Sequence, residues 1–512
     1  MREVLMLLSF KQNFKMAKLV NALYQQADIF LFLSILTFIL RPNGSDLFLL
    51  PLGICLVLYL INKKSINLRI NKFVYLIWLS LGILFLSLIS RYFSFSFHHL
   101  DLGIYHNMII NLVTNGFYFD DMNQIHGFGI HFEPLFVIIF YPFYSLLISS
   151  YWLILLKFLA IFSFFIIIYQ KRIIDKDVFF FGSIIMICLH PHYISVLRWE
   201  FHLTNLSPFF IASAYIFYHE KKFISVTIIS LIAMTLKENA GVIGMGFGLL
   251  MITSKDSRFN GIILFSVSLI YMPIARFLIV PYYLENNQIT ASNIILFQGL
   301  TNKLIFSILV YLPFLFLPLL NWRWFLLTIP ALGINLIGKP EMYSGNFHYG
   351  DILIPLVAIA TFENLQKYKE KNFLVLEKNR ILIGIPIVCI LFNMPASLSQ
   401  VLIQYFPSEK DRIATGEIIS FLRENPEKKI SISSNISPLV ERGSIEIFSD
   451  DHRCQFNTES KFIITYDKSF RDKEKLLSCI SKIENNIFWQ KKSEFSHAII
   501  YERKSQKLQN HF

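Results

Sequence analysis

The chain has little charge for its length. Of its 512 residues, 16% are charged and 54% are hydrophobic, whereas a soluble domain carries roughly 25% charged residues. This shortage excludes an ordinary soluble globular protein and places most of the chain in lipid. The 52 phenylalanines and 23 tyrosines agree with that setting, because a bilayer accepts aromatic side chains in bulk.

Cysteine is also scarce. The five cysteines form no CxxC pair, which excludes the common zinc and thiol-redox motifs. The apolar run at 19–40 follows basic residues but lacks a small-residue cleavage site, so we expect no cleavable signal peptide. Internal repeats are absent, and residues 407–512 contain no glycine-rich phosphate loop, so we assign no nucleotide binding to that region.

The basic excess belongs to the apolar part of the chain. Residues 1–406 hold 29 Lys and Arg against 19 Asp and Glu, whereas residues 407–512 hold 18 against 16. An excess confined to membrane segments and their loops indicates topology, and it gives no reason to expect a nucleic-acid partner.

Apolar runs predict a mainly α protein, a polytopic bundle of about 11–13 spans. The predicted spans are 27–40, 47–61, 73–90, one or two crossings within 134–170, 178–196, 203–218, 223–236, 239–254, 260–280, 302–320, 324–337, 351–364 and 381–396. Several are shorter than the roughly 20 residues of a straight crossing, which is typical of helices that line a cavity.

The loops predict the orientation. Loop 62–72 has four basic residues and no acidic one, which marks the cytoplasmic side of the membrane. One net crossing within 134–170 places 21 of the 29 basic residues inside, whereas two crossings leave 13 inside. We therefore favour one crossing, a cytoplasmic N-terminus, and residues 407–512 on the periplasmic or extracellular face.

A long outer loop at 91–133 contains a predicted amphipathic helix. Leu100, Ile104, Met108 and Leu112 recur every four residues, and Asn115-Gly116 is a plausible helix stop. Such a helix is expected to lie along the membrane surface with Asp101 facing water. A solvated loop is the simpler alternative.

The favoured topology places five polar clusters on the outer face. Their members are Asp101 and His106; His126, His131 and Glu133; His190, His192, Arg198, Glu200 and His202; Lys237 and Glu238; and Glu341, His348, Tyr349 and Asp351. Ionisable groups at membrane depth are costly and mark a functional cavity by default. Turns, an interfacial aromatic belt and a self-neutralising ion pair are the simpler explanations of the individual clusters.

Residues 407–512 predict a small soluble α/β domain. Helices are expected over SEKDRIATGEIISFLREN, capped by Ser408, and over RDKEKLLSCISKIENN, with strands at KKISISS, SIEIFS, KFIITYD and HAIIYER. Cys479 falls in the apolar phase of its helix and Cys454 in a polar segment. These settings favour two independent thiols over a disulfide.

The segments HHLDLGIYHNMIINLVTNG, HFEPLFVIIFYPFYSL, HPHYISVLRWEFHLTNLSPFFIASAYIFYHEKK, LKEN and NFHYGDILIPLVAIA carry a resemblance. In order and spacing, over roughly residues 75–500, the chain resembles a bacterial and archaeal family of predicted membrane proteins, domain of unknown function 2079. That family is itself similar to the GT-C superfamily of membrane glycosyltransferases.

The resemblance implies a GT-C-like fold and a polyprenyl-phosphate sugar donor. It implies that Asp101 is the acid/base residue and that Arg198 and Lys237 are candidates to meet the lipid phosphate. The pair Asp120-Asp121 departs from the position expected of a metal-binding DxD, which puts metal dependence in doubt, so the cofactor stays open between none and a divalent cation.

The chemistry of glycosyl transfer asks for the same residue types. A carboxylate must take the acceptor proton, and cations must face the leaving phosphate. We therefore expect Asp101 and Glu133 to be catalytic. The substrate-binding candidates are His131, His190, Arg198, Glu200, His202, Lys237, Glu238, His348 and Tyr349. A transporter or flippase, or a non-catalytic membrane assembly protein, is the alternative.

Overall fold

The computed structural model describes part of the chain. The described residues are 77–78, 81–82, 85–86, 88–89, 92, 101–121, 125–184, 186–187, 190–284, 299–314, 316–343, 348–370, 408–426, 428–433, 436–439, 445–448, 454, 459–466 and 473–504. The predicted spans at 27–40, 47–61 and 381–396, and part of the one at 73–90, lie outside these residues.

The described residues are mainly helical up to residue 370. The helices are α1 (Asp101–Asn115), α2 (Gly127–Ile130), α3 (Pro134–Leu146), α4 (Tyr151–Lys171), α5 (Lys176–Ile184), α6 (Pro191–Arg198), α7 (Ser207–His219), α8 (Phe223–Met234), α9 (Gly241–Ile252), α10 (Arg258–Ile274), α11 (Val280–Tyr282), α12 (Leu300–Tyr311), α13 (Trp322–Ile337), α14 (Pro340–Tyr343) and α15 (Leu353–Glu370). A two-stranded ribbon, β1 (Phe119–Asp120) and β2 (Ile125–His126), joins α1 to α2.

Two helical segments among the described residues are long and apolar enough to cross a membrane. They are α4 and the segment Arg258–Tyr282, in which a π-helical turn joins α10 to α11. The other apolar helices have 10–17 residues, fewer than a straight crossing needs. Helix α5 ends at Ile184 and α6 begins at Pro191, so the helix is interrupted within the predicted span at 178–196; a proline at that position cannot continue a preceding helix.

One apolar core is built from residues between positions 77 and 365, and polar side chains lie at both of its ends. Helices α4, α7 and α15 each carry polar groups at both ends. At one end the contacts are Lys171 to Glu220 at 2.9 Å, His219 to Glu363 at 2.7 Å, and the amide of Asp175 to Gln366 at 3.0 Å. The other end holds the candidate site.

Helix α1 differs from its prediction. It ends at Asn115, and Gly116 follows in the left-handed conformation at φ 70°, as expected. Its polar face, however, is covered: Asn107 and Asn111 are buried and donate to Oδ2 of Asp121 at 2.7 and 2.9 Å. Asp121 supplies the acceptor that water was expected to supply, so the helix belongs to the packed structure.

The C-terminal region contains a five-stranded sheet flanked by two helices. Its elements are α16 (Glu409–Glu424), β3 (Ile430–Ser433), β4 (Ile445–Phe448), β5 (Phe462–Tyr466), α17 (Lys473–Glu484), β6 (Trp489–Phe495) and β7 (Ala498–Arg503). The strand order is β4-β3-β5-β7-β6; β3 is parallel to both of its neighbours and β7 is antiparallel to both of its own. Ser408 caps α16 through a reciprocal pair of bonds with Asp411, as predicted.

Two features of this region differ from the sequence predictions. Strand β6 is absent from them because its middle, QKKSE, is polar and mostly exposed at the sheet edge. The expectation of two independent thiols is wrong: Cys454 and Cys479 form a disulfide with their Cα atoms 5.4 Å apart. The fold brings Cys454 against the apolar cluster that contains Cys479, a long-range contact that local patterns do not contain.

The C-terminal region contacts the helical part beside α1. The carbonyl oxygen of Pro438 accepts hydrogen bonds from Ser150 Oγ at 2.9 Å and from Tyr92 Oη at 3.4 Å. Tyr92 and Ser150 are themselves 2.7 Å apart. The end of the core that holds Tyr92 and Ser150 is therefore the end that the C-terminal region covers.

Candidate functional site

Asp101 is the first residue of α1, and it is held by Trp199 and Glu200, which follow one another in the chain. Its Oδ2 accepts a hydrogen bond from the indole Nε1 of Trp199 at 3.0 Å. Its backbone amide donates to Oε1 of the buried Glu200 at 3.2 Å. A carboxylate in this position satisfies an unpaired amide at the helix N-terminus and opposes the positive end of the helix dipole.

A buried lysine holds the turn that carries Trp199 and Glu200. Lys157, inside α4, is fully buried, and its Nζ donates to the carbonyl oxygens of Val196, Trp199 and Glu200 at 3.0, 2.5 and 2.9 Å. These are carbonyl groups at and beyond the end of α6, where no helical partner is available. Lys157 thus fixes the two residues that fix Asp101.

Lys237 heads a continuous row of hydrogen bonds between three segments. Its Nζ lies 2.9 Å from Nε2 of His202, and Nδ1 of His202 lies 2.6 Å from Oγ1 of Thr204. Thr204 in turn donates to Oδ2 of Asp351. All four residues are buried, so the row joins the break before α9 to the start of α15.

Glu133 is fully buried beside the same end of the core. Its Oε1 accepts from Tyr118 Oη at 2.7 Å, and its Oε2 has no hydrogen-bond partner among the described residues. A side chain at Gly127 would collide with the ring of Tyr118, so glycine at this position permits the tyrosine to reach Glu133. Pro134 follows at the first position of α3, where the missing amide costs nothing.

Glu238 collects three donors at the more open side of the site. His131 Nδ1 lies 2.9 Å from its Oε1, the Phe132 amide donates to Oε2 at 3.3 Å, and Arg276 reaches Oε1 at 3.5 Å. His131 and Arg276 are partly exposed, whereas Glu238 is buried. The cluster therefore runs from a covered interior to an accessible edge.

Burial changes the acid–base behaviour of the loop residues. Burial raises the pKa of Asp101, and the Trp199 hydrogen bond and the charge of Lys237 oppose that rise. Complete burial raises the pKa of Glu133 to about 8, against the Tyr118 hydrogen bond and Lys237. Burial lowers the pKa of His131, and Lys237 lowers it further. At neutral pH Glu133 is therefore mostly a neutral acid and His131 a neutral imidazole.

The structure brings together most of the predicted site residues. Asp101, Glu200, His202, Lys237, Glu238, His131 and Glu133 meet at this end, through contacts with one another or through the charge of Lys237. Tyr349 lies near them: it lines a narrow cleft together with His202, Thr204 and Asp351. The side chains of Arg198 and His348 lie outside the described part of the chain.

Three predicted histidines serve the packing of the fold. His190 is fully buried, with Nε2 donating to the Val310 carbonyl at 3.0 Å. His106 bonds the Tyr144 hydroxyl at 2.8 Å, and the ring of His126 stacks on Tyr283. The ring of His190 also packs against the ring of His192, with the centroids 5.6 Å apart.

Several residues of the site were missed by the sequence predictions. Trp199 and Thr204 orient Asp101 and His202, and Arg276 faces Glu238. Lys157 had one usable signal, since a lone lysine inside an apolar run requires buried acceptors. Among the described residues, no group of three His, Cys, Asp or Glu side chains is arranged to hold a metal ion.

A family model described as "Predicted membrane protein (DUF2079)" matches residues 91–412. That range contains every residue of the site. No curated protein matches the chain.

Proposed function

Because the chain belongs to this family of predicted membrane proteins, we propose that it is an integral membrane glycosyltransferase of the GT-C type. It transfers a sugar from a polyprenyl-phosphate donor to an acceptor at the outer face of the membrane. One observation carries the proposal: Asp101, held by Trp199 through its carboxylate and by Glu200 through its backbone amide, lies at the same buried polar end as Lys237 and Glu133.

The proposed reaction is a single displacement at the anomeric carbon. The acceptor oxygen forms the new bond to the sugar, and the bond between the sugar and the phosphate oxygen breaks. Its electron pair leaves with the polyprenyl phosphate, and the acceptor proton passes to Asp101. The raised pKa of Asp101 makes it a stronger base than an exposed aspartate.

Glu133 and Lys237 have different proposed roles. A carboxyl whose pKa is about 8 carries its proton at pH 7, so Glu133 acts as a neutral hydrogen-bond donor beside the base. Lys237 supplies positive charge to the same region, where it offsets the charge that develops on the leaving phosphate. In this proposal Asp101 is the base, Glu133 is the hydrogen-bond donor and Lys237 is the positive charge.

We further propose that the site faces outward and that α3 lies at the outer interface. Tyr92 precedes α1 and Ser150 precedes α4, and the two side chains are hydrogen-bonded to each other. The chain before α1 and the start of α4 therefore lie at the same end of the core. A helix of 13 residues is about 20 Å long, less than the ~30 Å hydrocarbon layer. Its exposed Ile138 and Leu146 would face lipid. These observations support one net crossing within residues 134–170, and residues 407–512 as an outer domain.

The test is transfer by the purified protein. Protein in lipid nanodiscs is incubated with polyprenyl phosphates that carry radiolabelled hexoses or pentoses, and with the lipid and glycan fraction of its host cells as acceptor. We expect label to leave the polyprenyl lipid in the wild type and to stay there in Asp101→Asn. Label that leaves equally in both, or in neither with any donor, contradicts the proposal.

A transporter is the second candidate, and broken helices favour it. The chain breaks between α8 and α9 at Lys237 and Glu238, and such discontinuities often bind transported substrates. In sealed vesicles, a flippase would move the labelled lipid between leaflets with its sugar still attached. The transferase would move the sugar to another molecule.

A further inference from the structure

A π-helical turn interrupts the longest apolar segment beside the site. Residues Ala275–Ile279 form this turn between α10 and α11, and Pro273 lies two residues before its start. Single π-turns inside helices are uncommon and are frequent at functional sites, because the extra residue changes the direction of the side chains that follow. The turn carries one charged residue, Arg276.

Arg276 lies between exposed apolar side chains and the buried Glu238. Its neighbours Ile274, Phe277 and Leu278 are exposed to 42%, 52% and 66%. In an apolar helix of this length, such side chains face hydrocarbon. The guanidinium instead reaches Glu238, 3.5 Å away, and remains 35% exposed.

The contact with Glu238 occupies only part of the N–H donors of the Arg276 guanidinium. Its Oε1 is shared with His131 at 2.9 Å, so Arg276 is the more distant of two partners. A guanidinium has five N–H donors, and Glu238 is its one ion-pair partner among the described residues. Several donors therefore remain for an anion that approaches from the exposed side.

The geometry points to Arg276 as the residue that binds the phosphate of a polyprenyl phosphate, whose tail lies along the exposed apolar side chains of the Arg258–Tyr282 segment. This inference rests on the proposed function and assigns its donor site. Two other cations of the site are less accessible to a lipid than Arg276. Lys237 is buried and contacts His202, and Lys157 is buried and donates to three carbonyl groups.

The placement fits the order of groups in such a lipid. An isoprenoid tail needs an apolar surface, the phosphate needs a planar donor at the edge of that surface, and the sugar needs polar groups beyond it. Going inward, the chain presents Phe277 and Leu278, then Arg276, then Glu238 and Lys237. Glu238 holds the guanidinium in place while the site is empty and keeps its bond to His131 when phosphate binds.

Binding can be measured separately from transfer. The probe is a polyprenyl phosphate titrated onto protein in nanodiscs, with the matching polyprenol and inorganic phosphate as comparison ligands. We expect Arg276→Gln to weaken polyprenyl phosphate binding about tenfold to a hundredfold, since hydrogen bonds between ions are strong. Polyprenol binding should change less than about twofold, because the tail contacts remain.

Two further variants separate a binding role from a structural one. Arg276→Lys keeps the charge and should bind the lipid better than Arg276→Gln, although less tightly than the wild type. Arg258→Gln changes an exposed arginine at the opposite end of the same helix and should bind like the wild type. Melting temperatures show whether each variant is folded.

The outcomes separate this inference from the proposed function. Equal affinity of wild type and folded Arg276→Gln for polyprenyl phosphate overturns the assignment, even when the enzyme transfers sugar. Weakened binding in Arg276→Gln, together with no transfer of any sugar by the wild type, supports the lipid-phosphate site and contradicts the transferase. Binding of inorganic phosphate as tight as that of the lipid would overturn the role of the apolar face.

Discussion

Lys237 places its ammonium nitrogen 2.9 Å from Nε2 of His202. An ammonium group has only donors, so Nε2 must accept and the proton of the neutral imidazole lies on Nδ1. Nδ1 then donates to Thr204, and Thr204 donates to Asp351. The direction of the whole row is thereby fixed: it runs from a cation to a carboxylate, and it holds Lys237 where its charge acts on both Asp101 and Glu133.

Replacing that cation should change the pH dependence of the reaction. Lys237 lowers the pKa of Asp101, because an ammonium favours the ionised carboxylate. In Lys237→Met the pKa of Asp101 rises, so the acidic limb of the rate–pH profile should move to higher pH. The maximal rate should also fall. An acidic limb that stays in place in a folded Lys237→Met protein contradicts the role of Asp101 as the titrating base.

Asp101→Asn should abolish transfer and leave the fold intact. The amide keeps the size of the side chain and its acceptor for Trp199, but it cannot take a proton. Loss of general base catalysis typically costs about 10²–10⁴ in rate. The matched control is Asp256→Asn, an exposed aspartate between α9 and α10, which should keep the wild-type rate. Initial rates with a polyprenyl-phosphate sugar measure both, and a wild-type rate in Asp101→Asn would remove the main residue of the proposal.

Glu133 should make the protein less stable in alkali. Its pKa in the folded protein is about 8, above the ordinary 4.5, so the folded state binds more protons than the unfolded state between these values. Stability is therefore lost as pH rises from about 4.5 to 8, by a few kcal/mol, since a tenfold change in proton affinity corresponds to about 1.4 kcal/mol.

Glu133→Gln isolates this effect. Glutamine does not titrate, and its carbonyl can still accept from Tyr118, so its melting temperature should change less between pH 6 and pH 9 than that of the wild type. Parallel losses in the two proteins would show that another group causes the alkaline instability.

The sequence shows which polar residues lie within apolar runs, and it shows less of where the helices break. Asp101, Glu133, His202 and Lys237, which come from four predicted clusters, lie at one end of the core, because charges within apolar runs need polar partners. The helix break at His190-Pro191 was not separated from a continuous span, since hydropathy does not show where a helix is interrupted. The break before α9, in contrast, falls between the predicted spans 223–236 and 239–254. The covered polar face of α1 depends on Asp121, which lies after the helix and folds back on it.

Contacts between distant segments account for the remaining errors. No local pattern indicates the π-turn that contains Arg276. Lys157 donates to carbonyl groups about 40 residues later in the chain, which a local pattern does not show either. In the C-terminal region, alternation predicted four strands correctly but missed β6, whose edge position removes the need for apolar residues. Burial patterns are visible in a sequence, whereas the partners of a buried polar group are set by the fold.

The orientation can be tested with reporters fused after Phe512. The contact of Pro438 with Tyr92 and Ser150 places the C-terminal region at the Asp101 end of the core. If that end faces outward, a reporter that matures only in the periplasm should be active there, and a reporter that works only in the cytoplasm should be inactive. The reverse pattern would place the site on the cytoplasmic side and contradict transfer at the outer face.

The Cys454–Cys479 disulfide gives an independent test of the same orientation. Disulfides persist in oxidising compartments, so an outer C-terminal region should carry the bridge in protein taken from cells. Its sequence separation of 25 residues predicts a contribution of about 3 kcal/mol in the chain-entropy model. The paired serine variant, Cys454→Ser with Cys479→Ser, should lower the unfolding free energy of this region by about that amount.

Thiol labelling after denaturation shows whether the bridge is present in protein taken from cells. Cys55, Cys188 and Cys389 should label at once, and the two C-terminal cysteines only after reduction. Five labelled thiols before reduction would show that the bridge is absent and that the region lies in a reducing compartment.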